Sequence, residues 1–193
     1  MTLTDLFDLS LLGRRDKIAL EFQGREYTFG EIDRRSNGVA NELLERGLRK
    51  GDRLCVYMTN CVGMIDIFLA CAKTGVIFVP INILYRDREI SHILSDANPS
   101  ALITDAAIES SAPVWRPAEF DGSKFNEKAS TVRPVAQLDG DTPAGIIYTS
   151  GTTGTSTGAV LTHNNFAANA INRLTCWQSS DEERVLLCLP LFH

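Results

Sequence analysis

The chain has 193 residues, of which 44% are hydrophobic and 22% charged, and its formal net charge is −5 at pH 7. This balance is typical of a globular protein with one domain, or one domain and part of another, and it excludes a largely disordered chain. The basic pairs at 14–15 and 34–35 are isolated. Without a basic stripe, the sequence predicts no nucleic-acid partner.

The five cysteines form no CxxC pair, and most lie in apolar runs. We expect buried free thiols in a reducing compartment, with neither disulfides nor a metal site at these spacings. The N-terminus lacks a basic start and carries Asp5 and Asp8, unlike a signal peptide. The longest apolar-rich run, 61–72, contains Asp66 and is too short to cross a bilayer. We therefore predict a cytoplasmic protein without a membrane span.

The chain opens its regular pattern with a hairpin and a helix. Residues 18–29 alternate as two strands that turn at Gln23 and Gly24. The following helix is expected to have Thr28 as its N-cap, with Glu31 at the spacing of a capping box.

Strands and helices then alternate. The pattern predicts strands at 53–58, 76–82 and 101–104, a helix over 61–74 capped by Asn60 and closed by Gly75, and a helix that begins at Asp87 and stops at 98–99. Such alternation is typical of an α/β fold, in which a parallel sheet is flanked by helices on both faces.

Residues 105–142 are rich in proline and polar residues and predict a connecting region with one or two short strands. We divide the chain into an N-terminal α/β region with its leading hairpin, residues 1–140, and an incomplete second subdomain, residues 141–193. The second subdomain is expected to start a second sheet. Its predicted elements are strands at 144–149, 159–162 and 185–189, and a helix from Asn164 to about 177 with an inward stripe of Phe166, Ala170, Leu174 and Trp177.

Residues 150–158 read SGTTGTSTG and follow an apolar strand. Gly151, Gly154 and Gly158 permit positive φ and close approach to a ligand, and successive backbone amides in such a turn can converge on an anion. The loop lacks the lysine and following helix of a Walker A motif, and neither GxGxxG nor GxSxG occurs. From the residues alone it is either a phosphate cradle or a solvated hairpin loop, and its length favours a function.

The segment IYTSGTTG, 147–154, resembles the signature of the adenylate-forming superfamily, which includes acyl-CoA synthetases, peptide-synthetase adenylation domains and luciferases. The family pattern is YTSGTTGxPKG followed by a small residue. LTHNNF and LPLFH resemble later family segments, and YTFGEID, GDRLCVY and FVPINILY resemble its N-terminal region. The resemblance covers nearly the whole chain and is greatest to fatty-acyl or malonyl-CoA synthetases.

The resemblance implies a reaction in two steps, with ATP, Mg²⁺ and CoA as cofactor and co-substrates. A carboxylic-acid substrate attacks the α-phosphorus of MgATP to give acyl-AMP and pyrophosphate, and the CoA thiolate then displaces AMP. The loop would position the pyrophosphate leaving group. The resemblance places His193 against the acyl pocket and Thr149 beside Mg²⁺, and it assigns the ATP phosphates to Thr149, Ser150, Gly151, Thr152, Thr153, Gly154 and Thr157.

Two departures from the family pattern matter. Thr157 stands where the pattern has Lys or Arg, and Ser156 stands where it has Pro. Losing a charge-assisted phosphate contact costs about 1.5–3 kcal/mol, which predicts weakened nucleotide binding. The adenine-binding segment, the acidic Mg²⁺ ligand, the ribose-binding aspartate and the C-terminal domain with its lysine find no match here. We therefore expect a truncated acyl-CoA ligase that is inactive alone, with no complete set of catalytic residues.

Two alternatives remain open. The chain could be a non-catalytic nucleotide-binding or partner-binding module of the same ancestry, or an unrelated α/β protein with an incidental loop. His92 and His163 are expected at a helix surface or cap. The sequence names neither the carboxylic acid nor the oligomeric state.

Overall fold

The structure is a computed structural model that describes residues 1–126, 131–150, 156–180 and 182–192. The helices are α1 (Leu3–Leu11), α2 (Phe29–Glu45), α3 (Val62–Thr74), α4 (Asp87–Ala97) and α5 (His163–Trp177). The strands are β1 (Ile18–Phe22), β2 (Arg25–Thr28), β3 (Arg53–Tyr57), β4 (Ile77–Pro80), β5 (Ala101–Thr104), β6 (Val114–Trp115), β7 (Pro143–Ser150) and β8 (Ser156–Thr162). Short 3-10 helices lie at Pro117–Phe120 and Gly122–Asn126.

A six-stranded sheet in the order β6-β5-β3-β4-β7-β8 forms the centre of the molecule. Its neighbours from β6 to β7 are parallel, and β8 runs antiparallel to β7. Strands β1 and β2 form a separate antiparallel hairpin, which turns at Gln23 and Gly24 as predicted. The predicted α/β class with a parallel sheet is confirmed.

Alternate residues of the central strands face opposite sides of the sheet, and each side is covered by helices. On one side, Leu54 and Val56 of β3 belong to a buried cluster that includes Leu43 of α2 and Ile67 of α3. On the other side, Cys55 and its neighbours pack against α4 through the residues Ile90, Ile93 and Ala97. Helix α3 is apolar on nearly all sides, and its second side is also covered. It packs against β2 and the start of α2, where Val62 and Leu69 contact Tyr27 and Ile32.

The expected second sheet is wrong. Strand β7 continues the first sheet by pairing with β4, where Gly145 lies opposite Phe78. The close approach depends on the missing side chain, because a Cβ on Gly145 would lie 3.2 Å from the carbonyl oxygen of Phe78. The hairpin of β7 and β8 therefore extends the sheet that α2, α3 and α4 cover.

Two of the predicted helix ends are corrected. Thr28 caps α2 as predicted, since its Oγ1 accepts from the amide of Glu31 at 3.1 Å, and α3 closes at Gly75 with φ 77°. Asn60 does not cap α3, because its side chain binds the backbone of 182–192. Helix α5 begins after Thr162 rather than Asn164, and the Thr162 hydroxyl accepts from the amide of Asn165.

The segment 182–192 is not a strand over 185–189, as had been expected. Leu186 is 86% exposed and Leu189 is 66% exposed, so this apolar run is largely uncovered, and its start lines an open cavity beside β1. Asn60 accepts from the amide of Leu191 at 2.9 Å, and the Phe192 side chain is buried in the main core.

The predicted inward stripe of α5 is only partly buried, because Phe166 and Ala170 are half-buried, whereas Leu174 and Trp177 are exposed.

The five cysteines also differ in burial. Cys55 and Cys71 are buried as predicted and Cys61 is half-buried, but Cys176 of α5 and Cys188 are exposed. In the described part of the chain, no helix is long and apolar enough to span a bilayer.

Helix α1 has no counterpart in the predicted elements. Thr2 caps it by accepting from the amide of Asp5, whose side chain accepts from the amide of Thr2 in return. The helix packs against the start of α5, where the amide of Leu3 donates to Nδ1 of His163. His163 was expected near the surface, but it is fully buried in this contact.

Candidate phosphate site

The predicted phosphate loop closes the hairpin of β7 and β8. Pairing between the two strands continues to Thr149 opposite Thr157 and Ser150 opposite Ser156. Strand β8 thus begins three residues earlier than predicted, because the polar residues 156–158 extend the ladder. The connection between the strands is 151–155, which lies outside the described residues.

The structure brings two of the predicted phosphate-binding residues together. Thr149 and Thr157 face each other across the hairpin, and both are exposed. Ser150 ends β7 beside them. The remaining predicted residues, Gly151, Thr152, Thr153, Gly154 and the acyl-pocket candidate His193, lie outside the described residues.

The hairpin leaves the sheet at the end where ligands usually bind in α/β proteins. Strand β7 runs parallel to β4, so the connection 151–155 follows the carboxyl end of a parallel strand. Helix α4 follows the carboxyl end of β4 after a short loop, so it starts at the same edge. Ligand sites in open α/β sheets lie outside this edge.

Helix α4 contacts both arms of the hairpin. The Tyr148 hydroxyl on β7 donates to Oδ2 of Asp96 at 2.6 Å. On β8, the carbonyl oxygen of Ser156 lies 2.8 Å from Nε2 of His92. Because a carbonyl oxygen only accepts, Nε2 of His92 carries the hydrogen. Burial and the nearby Asp96 raise the pKa of Tyr148, so its hydroxyl remains a donor.

His92 is therefore partly buried against the hairpin rather than being a simple surface residue. Its ring also meets the ring of Tyr148 edge to face, with centroids 6.4 Å apart. These contacts join residues 52 and 64 positions apart, and no local sequence signal predicts them.

Gly158 has a packing role in the hairpin. It lies within β8 opposite Tyr148 and has no positive φ, so the positive φ that glycine permits is not used at this position. A Cβ at Gly158 would lie 2.8 Å from Cγ2 of Ile146 and 3.0 Å from Cζ of Tyr148. Glycine here lets the Tyr148 ring cross the neighbouring strand.

An apolar cavity of about 180 Å³ lies on the side of the sheet opposite α4. Phe68 of α3 forms one wall and contacts the rings of Phe78 and Phe166 at centroid distances of 5.4 and 5.7 Å. Leu191 closes another side. The full lining is Met64, Ile65, Phe68, Phe78, Pro80, Ile147, Phe166 and Leu191. Such a lining suits a hydrocarbon group and carries no charge.

The described residues contain no cluster of three or more His, Cys, Asp or Glu that could hold a metal ion. Thr149 offers one exposed hydroxyl at the end of β7. Mg²⁺ keeps several waters and is commonly held by few protein ligands together with substrate phosphates. A single hydroxyl therefore fits a Mg²⁺ ion that arrives with a nucleotide and does not fit an ion held by this part of the protein alone.

A helix-flanked, mostly parallel sheet whose edge hairpin carries a Gly- and Thr-rich connection defines the N-terminal part of an adenylate-forming enzyme. The family model described as AMP-binding enzyme matches residues 7–193, and the chain belongs to that family. This result confirms the resemblance inferred from the sequence.

Relatives in this family include acyl-CoA-forming ligases and a nonribosomal peptide synthetase. The chain is 33% identical to a feruloyl-CoA synthase of Amycolatopsis sp over 91% of its own length and 36% of the relative. It is 32% identical to the long-chain-fatty-acid–CoA ligase FadD13 of Mycobacterium tuberculosis over 86% of its length and 35% of the relative. The chain thus spans about a third of these two curated ligases.

The fold agrees with a solved structure of the same family. The ATP-bound MatB from Rhodopseudomonas palustris superposes with a TM-score of 0.87 and 27% sequence identity. The match covers 100% of this chain and 41% of MatB.

Proposed function

We propose that the β7–β8 hairpin binds the β- and γ-phosphates of MgATP for an acyl-CoA ligase reaction. The family match over 7–193 carries this proposal. Further support comes from the register that sets Thr149 opposite Thr157 at the base of the 151–155 connection. The reaction would join a carboxylic acid to AMP and then to CoA.

The residues have separate roles in this proposal. Residues 149–154 would donate to the phosphate oxygens, and the Thr149 hydroxyl would also face the Mg²⁺ carried by the nucleotide. Mg²⁺ supplies charge neutralisation of the phosphates. Thr157 would contact phosphate only through its hydroxyl, because it has no cation to offer.

We assign the acyl group of the substrate to the apolar cavity beside Phe68. Leu191 lines this cavity and lies two positions before His193, the acyl-pocket candidate. The cavity lining is neutral, which suits the hydrocarbon part of a carboxylic acid.

We also propose that the chain divides into an N-terminal region at 1–140 and a second subdomain at 141–193.

We propose further that these 193 residues alone do not complete the reaction. The chain spans 36% of the feruloyl-CoA synthase and 41% of MatB, and a ligase of that kind needs groups to bind the base, the ribose and CoA as well as the phosphates. Phosphate binding is the part of the cycle that this chain would carry.

Thermal unfolding with and without MgATP tests the proposal, because a ligand that binds only the folded state raises its stability. We expect MgATP to raise the unfolding temperature of the wild type slightly and that of Thr157→Lys more. Restoring one charge-assisted contact should tighten binding about 10-fold or more. Val160→Lys is the matched control, since it adds the same charge at an exposed position of β8.

The outcomes separate the candidate functions. A cooperative transition that MgATP shifts in neither the wild type nor Thr157→Lys would contradict phosphate binding by this chain. It would favour the alternative of a non-catalytic partner-binding module. An equal shift in Thr157→Lys and Val160→Lys would show only a general charge effect. Turnover of a carboxylic acid by this chain would contradict its inactivity.

A further inference from the structure

The two arms of the β7–β8 hairpin have little sheet support near the connection 151–155. Strand β8 is the edge of the sheet, and the pairing of β7 with β4 is at Gly145, near the start of β7. The outer part of the hairpin, residues 148–150 and 156–158, is paired only within the hairpin itself, so contacts from outside the sheet are needed to hold it against the rest of the protein.

Helix α4 supplies those contacts at matched positions. His92 and Asp96 are one helical turn apart and so project from the same face of α4. Asp96 accepts from Tyr148, which directly precedes Thr149. His92 donates to the carbonyl of Ser156, the first residue after the connection. One turn of helix thus holds the residues on both sides of the predicted phosphate loop.

We propose that His92 and Asp96 are positioning residues for nucleotide phosphates, an inference that rests on the proposed function. Neither side chain would touch the nucleotide. Together they hold Tyr148 and Ser156 against α4, and with them the paired Thr149 and Thr157, before a ligand arrives. A binding segment that is held in place loses less conformational entropy on binding, so its affinity is higher.

The chemistry of the His92 contact allows a rescue test. The amide nitrogen of glutamine can donate a hydrogen bond from nearly the same place as Nε2 of histidine, whereas leucine fills the space without a donor. We expect His92→Leu to weaken MgATP binding by about 3- to 10-fold, the loss of one hydrogen bond. His92→Gln should bind within about twofold of the wild type, since the bond to Ser156 is kept.

Isothermal titration of MgATP into this chain measures these affinities. Ser91→Leu is the matched control, because Ser91 is an exposed neighbour on α4. Equal affinity of His92→Leu and the wild type would overturn the positioning role, and so would equal weakening in His92→Leu and His92→Gln. If His92→Leu does not fold, Tyr148→Phe removes the contact on the other arm with the loss of one oxygen and gives the same test.

Amide hydrogen exchange of the free protein separates this inference from the proposed function. We expect His92→Leu to exchange faster in 144–150 and 156–162, with the rate over β3 and β5 unchanged. If neither the wild type nor Thr157→Lys binds MgATP, the phosphate function is wrong and the positioning role falls with it. If MgATP binds equally well to all variants, the positioning role alone is wrong.

Discussion

The backbone amide of Leu3 donates to Nδ1 of His163 at 3.2 Å, although 160 residues separate the two positions. His163 is fully buried, and its Nε2 has no hydrogen-bond partner among the described residues. An Nδ1 atom that accepts a hydrogen bond carries no proton, so the ring is neutral with its hydrogen on Nε2. Helix α1 is therefore held to α5 through an uncharged imidazole.

This contact predicts acid sensitivity. Burial lowers the pKa of His163 from 6.5, against the opposing effects of Asp5 and Asp139, while Lys50 and the N-terminal ammonium lower it further. Between the lowered folded pKa and 6.5 the unfolded chain binds more protons. The stabilisation of the folded state by neutral His163 is thus fully present above pH 6.5, and it is lost as the pH falls from 6.5 through the lowered folded pKa.

Urea unfolding at several values from about pH 8 to about pH 5 measures the effect. His163→Asn is the control, since its Oδ1 can accept from Leu3 and does not titrate. We expect the wild type to lose more stability on acidification than His163→Asn. Parallel curves would show that His163 does not control this region.

The buried ion pair between Arg35 and Asp66 predicts a large and specific loss of stability. Arg35 donates to Asp66 at distances from 2.7 to 3.2 Å, and both side chains are almost fully buried. Burial raises the pKa of Asp66 to about 6 against the opposing effect of Arg35, so the carboxylate is ionised at neutral pH. Among the described residues, Asp66→Leu would leave the half-exposed Asp121 as the remaining carboxylate partner of the Arg35 guanidinium.

We expect Asp66→Leu to lower the free energy of unfolding by about 3–5 kcal/mol, measured in urea. The double variant Arg35→Met with Asp66→Leu should recover much of that loss, because no unpaired charge remains buried. A double variant that is less stable than Asp66→Leu would mean that Arg35 packs rather than pairs. Arg116→Ala is an exposed control and should change little, since its partner Asp105 is also exposed.

Gly75 and Gly47 allow backbone strain to be separated from crowding. Both have positive φ, 77° and 98°. A Cβ at Gly75 would lie 2.8 Å from Leu138 and 2.9 Å from the Lys50 side chain, whereas a Cβ at Gly47 meets nothing within 4 Å. We expect Gly47→Ala to cost about 1 kcal/mol of unfolding free energy and Gly75→Ala about 2–4 kcal/mol. Equal costs would show that the neighbours of Gly75 move aside freely.

Thiol labelling should separate two classes of cysteine. Cys176 and Cys188 are exposed and should react quickly with a thiol reagent in the folded protein. Burial raises the pKa of Cys55 to about 12 and also raises that of Cys71, so both should react only after unfolding. Mass spectrometry of partially labelled protein identifies the sites. Labelling of Cys55 or Cys71 as fast as Cys176 would contradict the packing described for the sheet.

Local signals predicted most of the sheet and its helices. The Thr28 cap, the turn at Gln23 and the close of α3 at Gly75 each depend on residues within a few positions, and all three are confirmed. Helix α1 could have been predicted in the same way, because Thr2 and Asp5 have capping-box spacing. The sequence therefore contained more than was inferred from it.

The remaining errors arise from contacts between distant parts of the chain. Asn60 has the composition of an N-cap, but the amide of Leu191 competes for its side chain. Apolar residues at 185–189 have the pattern of a buried strand, but they form no strand and their side chains are exposed. The same limit applies to the phosphate site. Its sequence signature could be recognised, but the contacts of His92 and Asp96 with the hairpin could not be predicted from local sequence.

The contact between α1 and α5 also limits the order in which the chain can fold during synthesis. The ribosome makes residues 3–11 before the other described helices and strands, yet their contact at His163 follows about 150 residues later. Because closing so long a chain segment is entropically costly, α1 should bind to α5 only after β3, β4 and β5 have paired. Until then α1 can pack only on α2 and α3, where Phe7 contacts the cluster of Tyr27 and Val62, and an emerging chain that stalls before α5 would lack the contact with His163.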